Sequence, residues 1–256
     1  MNTHEVIRRV IEQRLQRFPN TVPGLGAAGN VPCRLDGSRL RVAFASAAPG
    51  SAPQLVARAL AYCDARGYSI QWIVIPAREG EADLMSALLA HEFELEESQR
   101  LMAHEGPLAV APNPRIAIAP ITTMQAMAEY EVGSRASFFD DPHPMEVLVQ
   151  RHAQERLREQ QNGWYRYFAS FLDGRPVGGC YYSRFEPVPT IMGVYTVPEA
   201  RGHGVATALL AAVVGAILAE RYQTCCLYVR IGNPAEDLYK RLGFVPLLDE
   251  FTFGHP

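Results

Sequence analysis

The chain has 256 residues, 48% of them apolar, enough for one large domain or two small ones with a substantial core. Its formal net charge is -3, Lys240 is its one lysine, and no Lys/Arg block occurs, so neither nucleic acid nor an anionic membrane is an expected partner. The five cysteines form no Cys-x-x-Cys pair and their odd number does not suit a disulfide framework, so reduced thiols and a cytoplasmic location are expected.

Residues 1–18 set Val6, Val10, Ile11, Leu15 and Phe18 among charges, the spacing of an amphipathic helix rather than a signal peptide. Residues 19–37, rich in Pro and Gly, predict a loop. This loop contains Gly24-Leu25-Gly26-Ala27-Ala28-Gly29, but residues 18–23 predict no strand and Pro32 interrupts any helix there, so a dinucleotide site is rejected. Regular structure follows: a strand at 40–45, a helix at 52–66, a strand at 69–76, a helix at 81–91 and a polar strand after Phe93.

Residues 109–115 read as a linker and 116–120 as an edge strand. Helices are predicted at 122–137 and 145–159, broken by Asp140-Asp141-Pro142-His143-Pro144. A hairpin comes next, with strands at 164–172 and 175–185 around the turn Asp173-Gly174. A strand from Met192, a helix at 205–222, a strand at 224–231 and a helix at 234–242 leading to Phe244 complete the chain. The run from Val205 to Ala219 is shorter than the roughly 20 residues a bilayer needs, which makes it a buried helix.

The later series repeats the earlier one. Pro49 to Phe93 and Pro198 to Phe244 span nearly equal lengths, so the first half reads either as a diverged copy of the second or as an unrelated αβ unit. The copies differ at one turn: Pro49-Gly50-Ser51-Ala52-Pro53-Gln54 stands where the second has Arg201-Gly202-His203-Gly204-Val205-Ala206.

That second turn is built for an anion. A strand ending Val194-Tyr195-Thr196 runs through it into a helix whose first amides have no intrahelical partner and carry roughly half a positive charge. Gly202 and Gly204 let a diphosphate approach those amides, Thr207 adds a hydroxyl and Arg201 a full charge. His203 faces either a phosphate or solvent. Downstream, Asn233 and Pro234 suit the start of a helix, with Glu236 completing a capping box and Gly243 ending it. Tyr239 then lies just over one turn in.

Arg201 to Ala206 resembles the Arg/Gln-x-x-Gly-x-Gly/Ala signature of the GNAT superfamily of acetyl-CoA-dependent N-acyltransferases. Asn233 to Phe244 is similar to that family's Asn-x-x-Ala-x-x-x-Tyr-x-x-x-Gly-Phe region. The resemblance covers about the last 140 residues and implies an α/β protein of the GNAT acyl-CoA N-acyltransferase fold: a mixed, mostly antiparallel central sheet flanked by helices. A smaller αβ half domain precedes it. The expected division is a degenerate GNAT-like domain at 1–108 and a catalytic domain at 114–256.

The resemblance further implies that acetyl-CoA is held by Val194, Tyr195, Thr196, Arg201, Gly202, His203, Gly204, Val205, Ala206, Thr207 and Asn233. Tyr239 is implied as the acid for the departing thiolate, and backbone amides around 194–196 as oxyanion donors. No acid lies on the cradle strand, so the base is either Glu186, read as a surface charge, or water. Histidine spacing gives no metal site. The acceptor is a small-molecule or peptide amine, its pocket walled by the helices after residue 122 and the strand at Tyr181-Tyr182, with Phe138, Phe139, Trp164, Tyr165 and Tyr195 as aromatic candidates. A non-catalytic acyl-CoA-binding module is the rival reading, and a homodimer stays open.

Overall fold

The structure, a computed structural model, describes residues 3–15, 20–26, 29–43, 50–75, 81–111, 113–139, 141 and 144–255. The outer ends of the first predicted helix, residues 44–49 with Pro49, Pro76, Ala27, Ala28, and Asp140, Pro142 and His143 of the predicted break lie outside them. The described chain forms two compact units that interleave along the sequence. One comprises 2–102, 229–236 and 246–256, the other 103–228 and 237–245. The expected division follows chain order, whereas compactness groups 229–236 and 246–256 with the N-terminal segment.

The first unit holds α1 (Thr3–Leu15), β1 (Asn20–Gly26), β2 (Gly29–Asp36), β3 (Arg39–Ala43), α2 (Ala52–Asp64), β4 (Ser69–Val74), α3 (Glu81–Ala90) and most of β5 (Glu94–Glu105). Its strands run in the order β1-β2-β3-β4-β11-β5, where β11 is Val245–Gly254. β3 and β4 are parallel and paired along five positions, Arg39↔Ser69 to Ala43↔Ile73. α2 places Ala52, Leu55, Val56, Ala59 and Cys63 on one face, the spacing that turns a single stripe toward the core. There they meet Trp72, Leu84, Leu88, Phe93 and Phe253.

One expectation fails here. Residues 19–37 form no loop over their described part, because β1 and β2 make an antiparallel hairpin with Thr21↔Pro32 and Val22↔Val31. Prolines are tolerated for a positional reason. Pro23 lies on the edge strand, and Pro32 precedes the first β2–β3 pair, Cys33↔Val42, so neither missing N–H breaks a two-sided ladder.

The second unit contains β6 (Ile116–Pro120), α4 (Met124–Phe138), α5 (Glu146–Gln161), β7 (Tyr165–Leu172), β8 (Arg175–Ser183), β9 (Thr190–Thr196), α6 (Val205–Ala219), most of β10 (Thr224–Arg230) and α7 (Ala235–Arg241), whose segment from Asp237 lies in this unit. Strand order is β10-β9-β8-β7-β6, antiparallel except for the parallel pair β9 and β10. Asp173 and Gly174 both take positive φ, 50° and 77°, as a two-residue hairpin turn demands. α4 and α5 pack Met127, Tyr130 and Ala153 on Tyr167, Ala169 and Tyr195. α6 is apolar nearly all round and sets Val205 against Val177 and Ala200. Thr123 caps α4, its hydroxyl accepting from the Ala126 amide at 3.2 Å. Among the described residues no helix is long and apolar enough to cross a membrane.

Candidate active site

Two departures from regular pairing shape β9. β10 pairs with it only at Cys226↔Thr190 and Leu227↔Ile191, after which the strands part and Met192–Thr196 have one edge without a β10 partner. On the other edge, Gly179↔Tyr195 is followed by Tyr181↔Met192, so Gly193 and Val194 together face the single residue Cys180. That is a β-bulge, and Gly193 takes φ +61° to make it. Bulged residues turn backbone groups out of the ladder.

β9 leads through a 3-10 turn, Pro198–Ala200, to Arg201 and the glycines. Gly202 has φ +79° and Gly204, the N-cap of α6, φ +82°, conformations that an L-residue with a side chain rarely adopts. The first helical bond runs from the Ala208 amide to the Gly204 carbonyl at 3.0 Å, leaving the amides of Val205, Ala206 and Thr207 ahead of it. No side chain caps this end. Methyl groups added at Gly202 or Gly204 would meet nothing within 4 Å, so the space before the amides is open.

Arg201 is exposed, with its Nε donating to the Thr196 carbonyl at 3.2 Å, which fixes the guanidinium at the rim. His203 is exposed and its Nδ1 lies 3.0 Å from the Arg201 carbonyl, so the ring folds back on the turn. Thr207 is half-buried, one turn into the helix. Thus the strand residues Val194–Thr196 lead through one 3-10 turn into residues 201–207, of which 201–204 are exposed, while the Tyr195 and Val205 side chains are buried.

Asn233, in the first unit, accepts from the Ala235 amide at 2.9 Å and so caps α7. Glu236 Oε1 accepts from Arg100 Nη1 at 2.6 Å, and Arg100 also forks onto Asp249. Tyr239 is 6% exposed and packs on Phe244 with ring centroids 6.1 Å apart. Its hydroxyl makes no hydrogen bond among the described residues. Burial pushes the phenol up to about 12, so it stays protonated throughout the neutral range. Tyr130 meets Tyr195 edge-on with ring centroids 5.5 Å apart, and a methyl group at Gly193 would lie 3.3 Å from Tyr130 Oη.

Glu186 is not the surface charge expected. It is 2% exposed and accepts from the Ser183 hydroxyl, which in turn accepts from the Thr190 amide at 2.9 Å. A carboxylate buried this way is committed to the β8–β9 connection. The aromatic candidates also divide: Tyr195 is core, Tyr165 is half-buried, and Phe138, Phe139 and Trp164 are 50%, 69% and 50% exposed.

Sequence reading missed a polar cluster beneath α4 and α5. Glu131, 3% exposed, lies 3.1 Å from His152 Nδ1 and accepts from Arg156 Nε at 2.7 Å. The Arg156 guanidinium sits 5.9, 5.7 and 5.9 Å from the ring centroids of Tyr130, Tyr167 and Tyr181. Tyr167 Oη donates to Glu159 at 3.1 Å. No linear motif announces such a cluster. Among the described residues no group of His, Cys, Asp and Glu could hold a metal.

Comparison with known proteins agrees with this geometry. Residues 130–244 match the Acetyltransferase (GNAT) family. A GCN5-related N-acetyltransferase from Kribbella flavida superposes with a TM-score of 0.67 at 16% identity, over 98% of this chain and 95% of its own. Another from Sphaerobacter thermophilus gives 0.68 at 18% identity, over 88% and 75%. A tandem GNAT protein from the clavulanic acid biosynthesis pathway gives 0.65 at 16% identity, over 91% and 84%. No curated protein matches the sequence. The open turn before α6, the bulged strand leading to it and the family match at 130–244 together show that this chain carries an acetyltransferase (GNAT) domain, that of an acyltransferase.

Proposed function

We propose that this protein is a cytoplasmic N-acetyltransferase that moves the acetyl group of acetyl-CoA directly onto a primary amine, with 114–256 catalytic and 1–108 a degenerate GNAT-like half. One observation carries the reading: the uncapped start of α6 continues into the free edge of β9, so a diphosphate and an amide-bearing arm find donors in a single line. The fit is chemical as well as spatial. Glycines without neighbours before the amides of 205–207 leave room for phosphate oxygens, and Arg201 adds charge. The five thiols are all free and buried, which suits a reducing compartment.

In the transfer, the amine nitrogen forms a bond to the thioester carbon while the carbonyl π pair moves onto oxygen. Backbone N–H groups turned out by the bulge at Gly193 and Val194 are the donors for that oxygen. The C–S bond then breaks, and Tyr239 gives its proton to the thiolate. The phenol regains one through water from the nitrogen, because Glu186 is committed elsewhere. Absence of an acid on β9 favours the second reading, an acyl-CoA-binding module without turnover.

Tyr239→Phe separates them. Thiol release measured over a panel of primary amines should fall about 10²-fold, with acetyl-CoA affinity by calorimetry essentially unchanged. Equal turnover in both proteins would remove Tyr239 from its role. Acetyl-CoA binding without thiol release for any amine would support the module instead.

A further inference from the structure

Tyr130 is the phenol of the α4–β9 cluster whose hydroxyl is left over. The residue is 3% exposed, its Oη makes no hydrogen bond among the described residues, and that oxygen is not one of the fully buried orphan atoms, so solvent reaches it. Its neighbours are satisfied: Tyr195 Oη donates to the Tyr130 carbonyl at 3.2 Å, and Tyr167 Oη donates to Glu159.

The surroundings say where it points. A methyl group added at Gly193, the bulge residue, would lie 3.3 Å from Tyr130 Oη, and one added at Gly179 would lie 2.7 Å from the Tyr130 ring. Glycine at both positions lets the ring lie on the sheet and carry its hydroxyl to the bulge. The ring is held edge-on by Tyr167 and Tyr195, at 5.6 and 5.5 Å between centroids. Burial pushes its pKa well above the usual phenol value, so the O–H is present as a donor at every working pH. Preorganised donors of this kind gain most where charge develops.

We propose that Tyr130 is a further catalytic residue, its hydroxyl donating to the thioester carbonyl oxygen beside the bulge amides as the amine adds. This rests on the acetyl-transfer reading. Tyr130 then serves the oxygen and Tyr239 the sulfur, so the two phenols have separable signatures. No proton leaves Tyr130; it only strengthens a hydrogen bond as the π pair reaches oxygen.

The test uses the full chain with acetyl-CoA labelled with carbon-13 at the carbonyl, and isotope-edited infrared spectra of the bound thioester. The carbonyl band should move to lower frequency on binding the wild type. In Tyr130→Phe that shift should shrink, with thiol release in the amine panel down about 10²-fold and acetyl-CoA affinity within about threefold. Tyr239→Phe should slow turnover and leave the band where the wild type puts it. Tyr167→Phe, which removes a hydroxyl serving the fold, should lower the melting temperature and leave band and turnover near wild type. An unchanged band in Tyr130→Phe overturns the assignment while leaving acetyl transfer intact. Wild-type protein that neither binds acetyl-CoA nor shifts its band overturns the transfer reading, and this assignment with it.

Discussion

Gly193→Ala perturbs the site where the fold and the chemistry meet. The residue stands at φ +61°, where a left-handed backbone costs an L-residue about 1–2 kcal/mol. Its new methyl would also lie 2.9 Å from Tyr181 Cε1, inside ordinary carbon contact, and 3.3 Å from Tyr130 Oη. Tyr181 cannot retreat freely, because it stacks on Tyr167 with centroids 4.9 Å apart and meets Tyr165 edge-on at 5.4 Å. Overpacking of this kind costs about 1–3 kcal/mol, so the sum is about 2–5 kcal/mol. For a unit of this size that lowers the melting temperature by about 5–15 °C. Near-ultraviolet circular dichroism during a thermal scan follows the tyrosine cluster directly. Gly215→Ala is the control. Gly215 lies in α6 with nothing within 4 Å and ordinary φ, so alanine there should stabilise by about 0.5–1 kcal/mol in the same assay. If Gly193→Ala melted within about 1 °C of wild type, the bulge and its packing as described here would be refuted.

The turn before α6 gives a second handle. Gly204→Ala has room for its methyl but not a comfortable φ at +82°, so relief of strain re-aims the amides behind it, and calorimetry should show acetyl-CoA binding about tenfold weaker. Tyr239 gives a pH signature. Its folded pKa of about 12 lies above the ordinary phenol value of about 10, so its contribution is fully present below pH 10 and is lost as pH rises from about 10 to about 12. Urea midpoints measured across that window should fall more steeply for wild type than for Tyr239→Phe, by about 2 kcal/mol in total, and parallel curves would contradict the burial.

Local chemistry made much of this fold readable. Alternation in 165–172, the turn at Asp173-Gly174, and the apolar run of α6 each fix an element without help from the rest of the chain. The glycine turn before α6 was equally legible, because positive φ at Gly202 and Gly204 is a property of glycine itself. Gly193 carried a local signal too, since a glycine inside Met192-Gly193-Val194 marks a bulge, although its consequence depends on Cys180 across the ladder. What the sequence hid was tertiary. Pro23 and the glycines of 24–29 looked like a loop because edge position, which excuses a proline, is not written locally. Glu186 looked exposed because nothing nearby in sequence foretells Ser183 turning onto it. Tyr130 carried no motif, because where its hydroxyl points is visible only once Gly179 and Gly193 are in place.

The two halves are comparable at this turn. Both run strand, helix, parallel strand, and each has a glycine at positive φ before its helix: Gly50 at +74° and Gly204 at +82°. In each, the helix starts without a side-chain cap bond. A glycine before the helix therefore does not distinguish them, although Pro53 leaves the first turn of α2 one N–H short of that of α6. Pairing is described up to the turn only in the second half, where β9 and β10 part after Leu227↔Ile191; in the first half the described pairs run from Arg39↔Ser69 to Ala43↔Ile73. A closed ladder satisfies its own N–H and C=O groups and offers none to an extended arm, whereas a parted pair leaves them to accept one. The bulge opposite Cys180 occurs on the strand that parts, and it turns out backbone groups that the proposed transfer takes as its donors. Separation of β9 from β10 leaves backbone groups without a strand partner just ahead of the open turn before α6, and the proposed acetyl transfer rests on that separation more than on any side chain.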